Sequence, residues 1–289
     1  MPLITVTGAT GQFGNLVIDS LLASGVPPRE VRASVRDAAR AGHHQQRGVD
    51  VRQGDFDDPQ ALREAFAGTD HLLIISTDRV GQRVEQHRRA VEAAREAGVK
   101  RILYTSIVDM GPSEAVSPIA ADHRATEAII RETGIPYTFL RNTFYAEYML
   151  APVIQALERG VFVSAVGDGR LGAAARTDLA EGAAAALRQP GSENRVYELT
   201  YPRAWDYREA VEVVRQVSGR PLEYRPVTDE ALIDALKQSG VPEETIQMAL
   251  GMDRALRAGS LAKATGDLEQ LLGRPVTPLE EIARRLIGG

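Results

Sequence analysis

An α/β protein built on a doubly wound parallel sheet is what this sequence predicts, and three observations carry the prediction. Through about the first 140 residues, short apolar runs alternate with helix-patterned stretches, the rhythm of strands joined by crossover helices. Glycine or proline punctuates the joints, at Gly25-Val26-Pro27-Pro28, Ala97-Gly98-Val99 and Thr133-Gly134-Ile135-Pro136, where helices stop. The first apolar run ends on a glycine-rich turn that opens a helix pattern near Phe13.

In chain order, strands are expected at Leu3–Thr7, Val31–Val35, Asp50–Gln53, His71–Ile75, Arg101–Thr105 and Tyr137–Leu140. Amphipathic stretches at Asn15–Ala23, Gln60–Phe66, Val84–Glu96 and Asp122–Glu132 supply the helices between them. After about residue 150 the pattern loosens. Ala180–Leu187 reads as a small-residue helix and Val196–Leu199 as a late strand. Tyr207–Val217 and Asp229–Gln238 read as helices flanking a strand near Leu222–Arg225. Leu268–Leu286 reads as two helical pieces split by Gly273, Pro275 and Pro278. The expected organisation is a nucleotide-binding domain over residues 1–150 and a smaller, mostly helical lobe over 151–289. That lobe shapes a substrate pocket, and some of its segments return to the main sheet.

Composition narrows the function classes. The chain has 289 residues, 44% of them apolar and 25% charged, with a net charge of −5. That balance gives no basic face for nucleic acid. No apolar run approaches the roughly 20 residues that span a bilayer. The opening Met1-Pro2-Leu3-Ile4 runs straight into a strand without the regions of a signal peptide, so a cytoplasmic location is the default expectation. With no cysteine, disulfides, thiolate nucleophiles and cysteine-ligated metal are excluded. No spacing suggests a metal site, and His43 and His44, in a polar loop with Gln45 and Gln46, are expected to be solvated.

The turn after the first strand reads Gly8-Ala9-Thr10-Gly11-Gln12-Phe13-Gly14. In a Rossmann-type βαβ unit the early glycine permits the tight turn, and the next lets backbone amides approach a pyrophosphate. Gly14 then lets helix pack closely on strand. Gly8, Thr10, Gly11, Gln12 and Phe13 are therefore candidate cofactor residues, with phosphate held on the helix N-terminus. The second strand ends on Arg36, with Arg40 a turn later. An arginine there suits the 2′-phosphate of NADP(H), whereas a carboxylate suits NAD. Asp37 follows directly, so a one-residue shift in register reverses the preference. Beyond the third strand, Asp55 and Phe56 are assigned to the adenine and Asp58 to capping the helix at Pro59. Ser76 and Thr77, after the fourth strand, are placed against the ribose, and Thr105 and Ser106 near the nicotinamide or against backbone groups.

With these pieces in hand, the chain resembles the atypical short-chain dehydrogenase/reductases and, within them, the NmrA-like proteins. The residues that carry the resemblance are Thr7 to Gly14, Gly54-Asp55-Phe56, His123-Arg124-Ala125-Thr126-Glu127, Tyr137 to Asn142 and Arg176-Thr177-Asp178-Leu179-Ala180. They span most of the chain and are most similar to the NADPH:quinone oxidoreductase type 2 and triphenylmethane reductase group. The resemblance implies an NADPH-dependent reductase of small planar acceptors, quinone-like or conjugated and aromatic, working without flavin. It also implies that Asn142 and its backbone face the nicotinamide.

One departure bears on mechanism. The wider superfamily uses Tyr-x-x-x-Lys, in which lysine lowers the phenol's pKa for acid–base work. None of the 8 tyrosines here has lysine four residues on, and the only lysines are Lys100, Lys237 and Lys263. Quinone reduction tolerates that loss, because hydride addition gives a stabilised phenolate that solvent can protonate. Candidates for substrate-side work are Asn142, which can bind a carboxamide or polarise a carbonyl, and Tyr145, which can stack on a flat acceptor. Alternatively, Asn142 caps a helix starting at Thr143 or Phe144, and Tyr145 is packing. His123 shares a helix face with Glu127 and is either a proton donor near neutral pH or a structural hydrogen bond. The competing function is a non-catalytic NADP(H)-binding redox sensor of the NmrA type. A sugar-nucleotide epimerase is disfavoured, and a homodimer is left open because related folds often dimerise.

Overall fold

The computed structural model describes residues 2–79, 81–111, 117–191 and 193–288. Seven strands make one parallel sheet: β1 (Ile4–Thr7), β2 (Val31–Val35), β3 (Asp50–Gln53), β4 (His71–Ile74), β5 (Arg101–Ile107), β6 (Tyr137–Asn142) and β8 (Arg195–Leu199). Their order is β3-β2-β1-β4-β5-β6-β8, which reverses direction at β1 and leaves a crevice at the carboxyl ends there. β1, β2 and β5 are buried along their whole length, as strands covered on both faces must be.

Helices cover those faces. α1 (Gln12–Ala23) and α7 (Arg176–Arg188) pack together on one side, and α11 (Asp267–Leu272) lies against α7. α3 (Pro59–Phe66), α4 (Arg83–Glu96) and α5 (Pro118–Glu132) cover the other, burying Leu62, Phe66, Val91 and Ile130 against the sheet. The short α2 (Gly42–Gln46) follows β2. Beyond residue 145, α6 (Ala146–Gln155), α8 (Tyr207–Ser218) and α12 (Leu279–Gly288) pack on one another. A second parallel sheet pairs β7 (Val161–Ser164) with β9 (Glu223–Pro226). α9 (Asp229–Gln238) packs on α10 (Glu243–Arg257).

The six expected strands form, but the central ones run further: β5 reaches Ile107 and β6 reaches Asn142, with Ile107 and Leu199 as flanking register partners. α5 starts at Pro118, four residues earlier than expected, because Ser117 accepts from the Ala120 amide and proline suits the first helical position. β8 and α7 return from the second half to the main sheet, so chemistry-bearing residues from both halves meet at one crevice. β7 and α10 were not read from sequence, and α6 only as an alternative, starting two or three residues too early. α10 buries only Ile246, Leu250, Asp253 and Leu256 and carries Gly251 at its centre, a weak apolar stripe.

Two glycines explain the tight joint between sheet and helix. A Cβ on Gly14 would sit 2.4 Å from the Gly8 carbonyl oxygen and 2.8 Å from Ala9 Cα, so only glycine lets α1 approach β1 this closely. Gly54 does the same beside β2, where a Cβ would meet Ser34 Oγ at 2.2 Å. His44 corrects the expectation of a solvated loop. It has no exposed surface, and its Nε2–H donates to the Ala9 carbonyl at 3.1 Å, so it supports the glycine turn from below. Burial lowers its pKa.

Gly14→Ala is expected to cost about 2–3 kcal/mol through overpacking against backbone and to lower Tm by roughly 5–10 °C. Gly251→Ala, whose Cβ meets nothing within 4 Å, is the contrasting helix-interior change and should raise stability by about 0.5–1 kcal/mol. Thermal melts of both variants check the pair.

Candidate active site

A cleft of about 510 Å³ opens at the carboxyl ends of β1, β4, β5 and β6. Gly8, Gly11, Gln12, Phe13, Ser76, Thr105, Ser106, His123, Asn142 and Tyr145 all line it. Sequence reading also proposed Thr10, Arg36, Asp55, Phe56 and Thr77, which stand outside this wall. Tyr148, Ile119, Phe144 and Arg176 line it without having been singled out for the site.

The glycine turn has the form an anion cradle needs. Gly8 sits at φ +58°, which glycine adopts without strain. Gly11 is the N-cap of α1, and no side chain caps it. The first turn carries no acidic residue, so its amides and the helix dipole face the cleft with no competing negative charge. A Cβ on Gly11 would lie 3.2 Å from the Gly8 carbonyl and would fill the cradle. Thr10 is half-buried in the turn.

Arg36 is exposed just past β2, two residues beyond the register partner of Thr7. Asp37, which would reverse the cofactor preference, is exposed and caps the short turn after β2 by accepting from the Ala39 amide at 3.0 Å. Asp58 caps α3 by accepting from Gln60 and Ala61, as expected. Asp55 accepts from the Asp57 amide at 3.0 Å, and Phe56 is half-buried with its ring edge-on to His87. At the cleft floor Thr7 Oγ1 accepts from the Ile75 amide, and Thr105 Oγ1 accepts from the Ser76 amide, both at 2.9 Å. These bonds hold the ends of β4 and β5 beside β1. The Thr77 amide donates to His87 Nε2 at 3.1 Å.

Asn142 closes β6 rather than capping a helix, because α6 starts only at Ala146 with Tyr145 as its N-cap residue. Its residue is 8% exposed, and its buried Oδ1 has no hydrogen-bond partner. A buried acceptor without a donor is costly, and this one belongs to a residue of the cleft wall. Next to it, Tyr145 stacks on Phe13 with centroids 6.2 Å apart and leans on Tyr148 at 5.6 Å. The Arg176 guanidinium lies 4.5 Å from the Tyr145 ring and 4.8 Å from Tyr148, a cation–π arrangement, and also donates to Gln12 Oε1. Glu147 fixes Arg176 by accepting from its amide at 3.0 Å. A flat aromatic wall thus stands beside the glycine turn. Burial pushes the Tyr145 phenol up to about 12, so it stays protonated at neutral pH.

His123 and Glu127 occupy one face of α5 but do not bond to each other. Glu127 has no exposed surface and accepts from Ser106 Oγ at 2.6 Å, Arg124 at 2.9 Å, Arg131 at 3.1 Å and both arms of Arg141 at 2.9 Å. Burial alone would raise its pKa, but the bonds from Arg141 and Ser106 and the nearby charges hold it below the usual carboxylate range. His123 takes its bond from elsewhere, with Nδ1 2.8 Å from the Tyr104 hydroxyl. Burial, helped by Arg83 and Arg124, lowers its pKa to about 3. Of the two readings, the hydrogen bond is the one seen, and with its pKa this low His123 offers a neutral ring to the cleft.

A glycine turn at a helix N-terminus, at the switch point of a parallel sheet, defines a dinucleotide-binding protein of the Rossmann class. Its closer relationships follow from comparison. The NmrA-like family profile matches residues 2–280, and the chain belongs to that family. It is 39% identical to quinone oxidoreductase 2 of Escherichia coli, with 98% of each chain covered. It is 28% identical to the NAD(P)H azoreductase of Xenophilus azovorans over 98% of this chain and 97% of that one. The crystal structure of Citrobacter sp. triphenylmethane reductase complexed with NADP(H) superposes with a TM-score of 0.90 at 38% identity, over 98% of this chain and 99% of that one. Among the described residues, no helix is long and apolar enough to cross a membrane.

Arg36→Ala is expected to weaken NADPH at least tenfold while leaving NADH nearly unchanged, read by fluorescence titration; equal losses would return Arg36 to a solvated surface charge. Glu127→Ala strands Arg141 and is expected to cost about 3–5 kcal/mol at pH 7 in urea unfolding. Because its folded pKa is depressed, Glu127 contributes fully above its unfolded value of about 4.3. The gap between variant and parent should therefore shrink as pH falls below that value.

Proposed function

We propose that the protein is an NADPH-dependent reductase of planar acceptors, quinone-like or conjugated and aromatic, acting without flavin. The observation that carries this reading is the unpartnered, buried Asn142 Oδ1 in a cleft walled by Phe13, Tyr145 and Tyr148. A nicotinamide carboxamide supplies the N–H donor this oxygen lacks, and the Gly8–Gly11 cradle with the α1 N-terminus suits its pyrophosphate. When bound, the reduced nicotinamide supplies a hydride, whose two electrons and hydrogen reduce the acceptor. Arg36 would hold the 2′-phosphate, Asp55 and Phe56 the adenine, and Ser76, Thr77 and Thr105 the ribose side. The aromatic wall orients a flat acceptor and excludes water, so catalysis comes mainly from proximity and orientation.

The protonation states support an acceptor that needs no strong acid. Tyr145 is held near 12, and burial pushes Tyr104 higher still. His123 is neutral, and Glu127 is locked in its arginine cage. A quinone reduced to its hydroquinone anion takes its final proton from water. The similarity to quinone and dye reductases supports the same acceptor class, and a cytoplasmic location belongs to this reading.

Purified protein with NADPH is expected to oxidise the cofactor in the presence of benzoquinones, naphthoquinones or triphenylmethane dyes, followed at the nicotinamide absorbance band. Asn142→Ala should lower kcat about tenfold or more, the scale of losing one aligned polar contact to the reacting pair. Tight NADPH binding with no oxidation across the panel would overturn the reductase reading in favour of a dinucleotide sensor.

A further inference from the structure

Four buried groups that the proposed mechanism does not use form a chain running from Thr77 to the cleft, and its direction is fixed at one end. The Thr77 backbone N–H can only donate, and it donates to His87 Nε2 at 3.1 Å. That nitrogen therefore carries a lone pair. Burial and the neighbouring His123 and Arg83 hold the His87 pKa near 3, so the ring is neutral and its one proton sits on Nδ1. His87 Nδ1 is 2.9 Å from Thr126 Oγ1, whose own hydrogen goes to the Asp122 carbonyl. Thr126 accepts and His87 donates, as this tautomer requires.

The Tyr104 hydroxyl has two imidazole neighbours: His87 Nδ1 at 3.4 Å and His123 Nδ1 at 2.8 Å. The first bears a proton and cannot accept. The Thr126 hydroxyl also bonds to Tyr104; with the 2.8 Å contact taken as the phenol's donation to His123 Nδ1, the single proton of neutral His123 stays on Nε2. The charged groups around the ring are the Arg83–Asp122 ion pair, Arg124 and Glu127. His123 is 6% exposed and lines the cleft.

We infer that Tyr104 is a positioning residue that locks His123 in the Nε2–H tautomer, making it a neutral hydrogen-bond donor to the oxygen of a carbonyl acceptor in the cleft. The inference rests on the reductase reading above. When a quinone gains a hydride, two electrons and one hydrogen enter the ring system and negative charge gathers on a carbonyl oxygen. An N–H already aimed at that oxygen stabilises it without reorganisation; a lone pair in the same place would repel it. His123 keeps its proton throughout, and water protonates the departing hydroquinone anion. A cationic triarylmethyl acceptor takes the hydride on carbon and develops no oxyanion, so it has no use for the donor. The network thus selects carbonyl acceptors over carbocationic ones.

Two measurements test this independently. Nitrogen-15 spectra of the whole protein should show His123 with an unprotonated Nδ1 and a protonated Nε2, and His87 with the reverse. Tyr104→Phe should convert His123 to a mixture of tautomers. Its kcat for benzoquinone should fall about tenfold with little change in KM, so that the ratio of quinone to triphenylmethane-dye turnover falls with it. The spectrum decides the tautomer whether or not any quinone turns over, which separates failure of this inference from failure of the reductase reading. Should Tyr104→Phe not fold, His123→Gln, which keeps an N–H donor, should retain more quinone turnover than His123→Leu. A wild-type His123 protonated on Nδ1, or equal loss of quinone and dye turnover in Tyr104→Phe, would overturn the proposal.

Discussion

The buried carboxylate of Glu127 is the contact on which the site's geometry most depends. It hangs from α5, receives the Ser106 hydroxyl from β5, and grips Arg141 of β6 with both oxygens. Arg141 in turn reaches Glu198 on β8 at 3.0 Å. This carboxylate and its arginine therefore tie together four elements, of which α5, β5 and β6 line the cleft. Asn142 follows Arg141 directly, and His123 lies one helical turn before Glu127. Such a cage is stable only when every charge is paired, since an uncompensated buried ion is costly.

The site combines rigid backbone with protonation states that avoid acid–base work. Glycines let α1 touch β1, and His44 bonds to the turn from beneath. Around the cleft, burial keeps tyrosines protonated and histidines neutral. The polar groups that remain act as fixed donors and acceptors rather than as carriers of protons. This suits a reaction whose electrons come from a bound cofactor and whose product ion leaves as a stable anion.

Much of this was legible in the sequence where local chemistry dictates structure. The glycine turn reads directly, because only glycine can occupy Gly8 and Gly14, and the strand alternation gave the sheet. The Asp58 cap also reads locally, since a capping carboxylate acts within three residues. Long-range contacts did not read. Nothing in the polar run His43-His44-Gln45-Gln46 announces that one histidine folds beneath Ala9. Arg176 stands in a legible motif, but its place on Tyr145 and Tyr148 depends on α7 crossing to α1. The choice between the two readings of His123 was not legible, because its partner, Tyr104, lies on β5. α10 escaped notice because its buried stripe holds only three apolar residues and a carboxylate, Asp253, and so carries little periodic signal.

The packing of α7 on α1 has a consequence for how the chain acquires its structure. The nucleotide turn and the helix that packs over α1 are separated by more than 150 residues of chain. Until α7 arrives, α1 lacks one of the elements it packs against. Contacts of such sequence separation carry a loop-closure cost before they give any return, and they slow folding. The cofactor cradle is therefore early in sequence but late in assembly. The cleft is complete only when α7 has crossed back to α1.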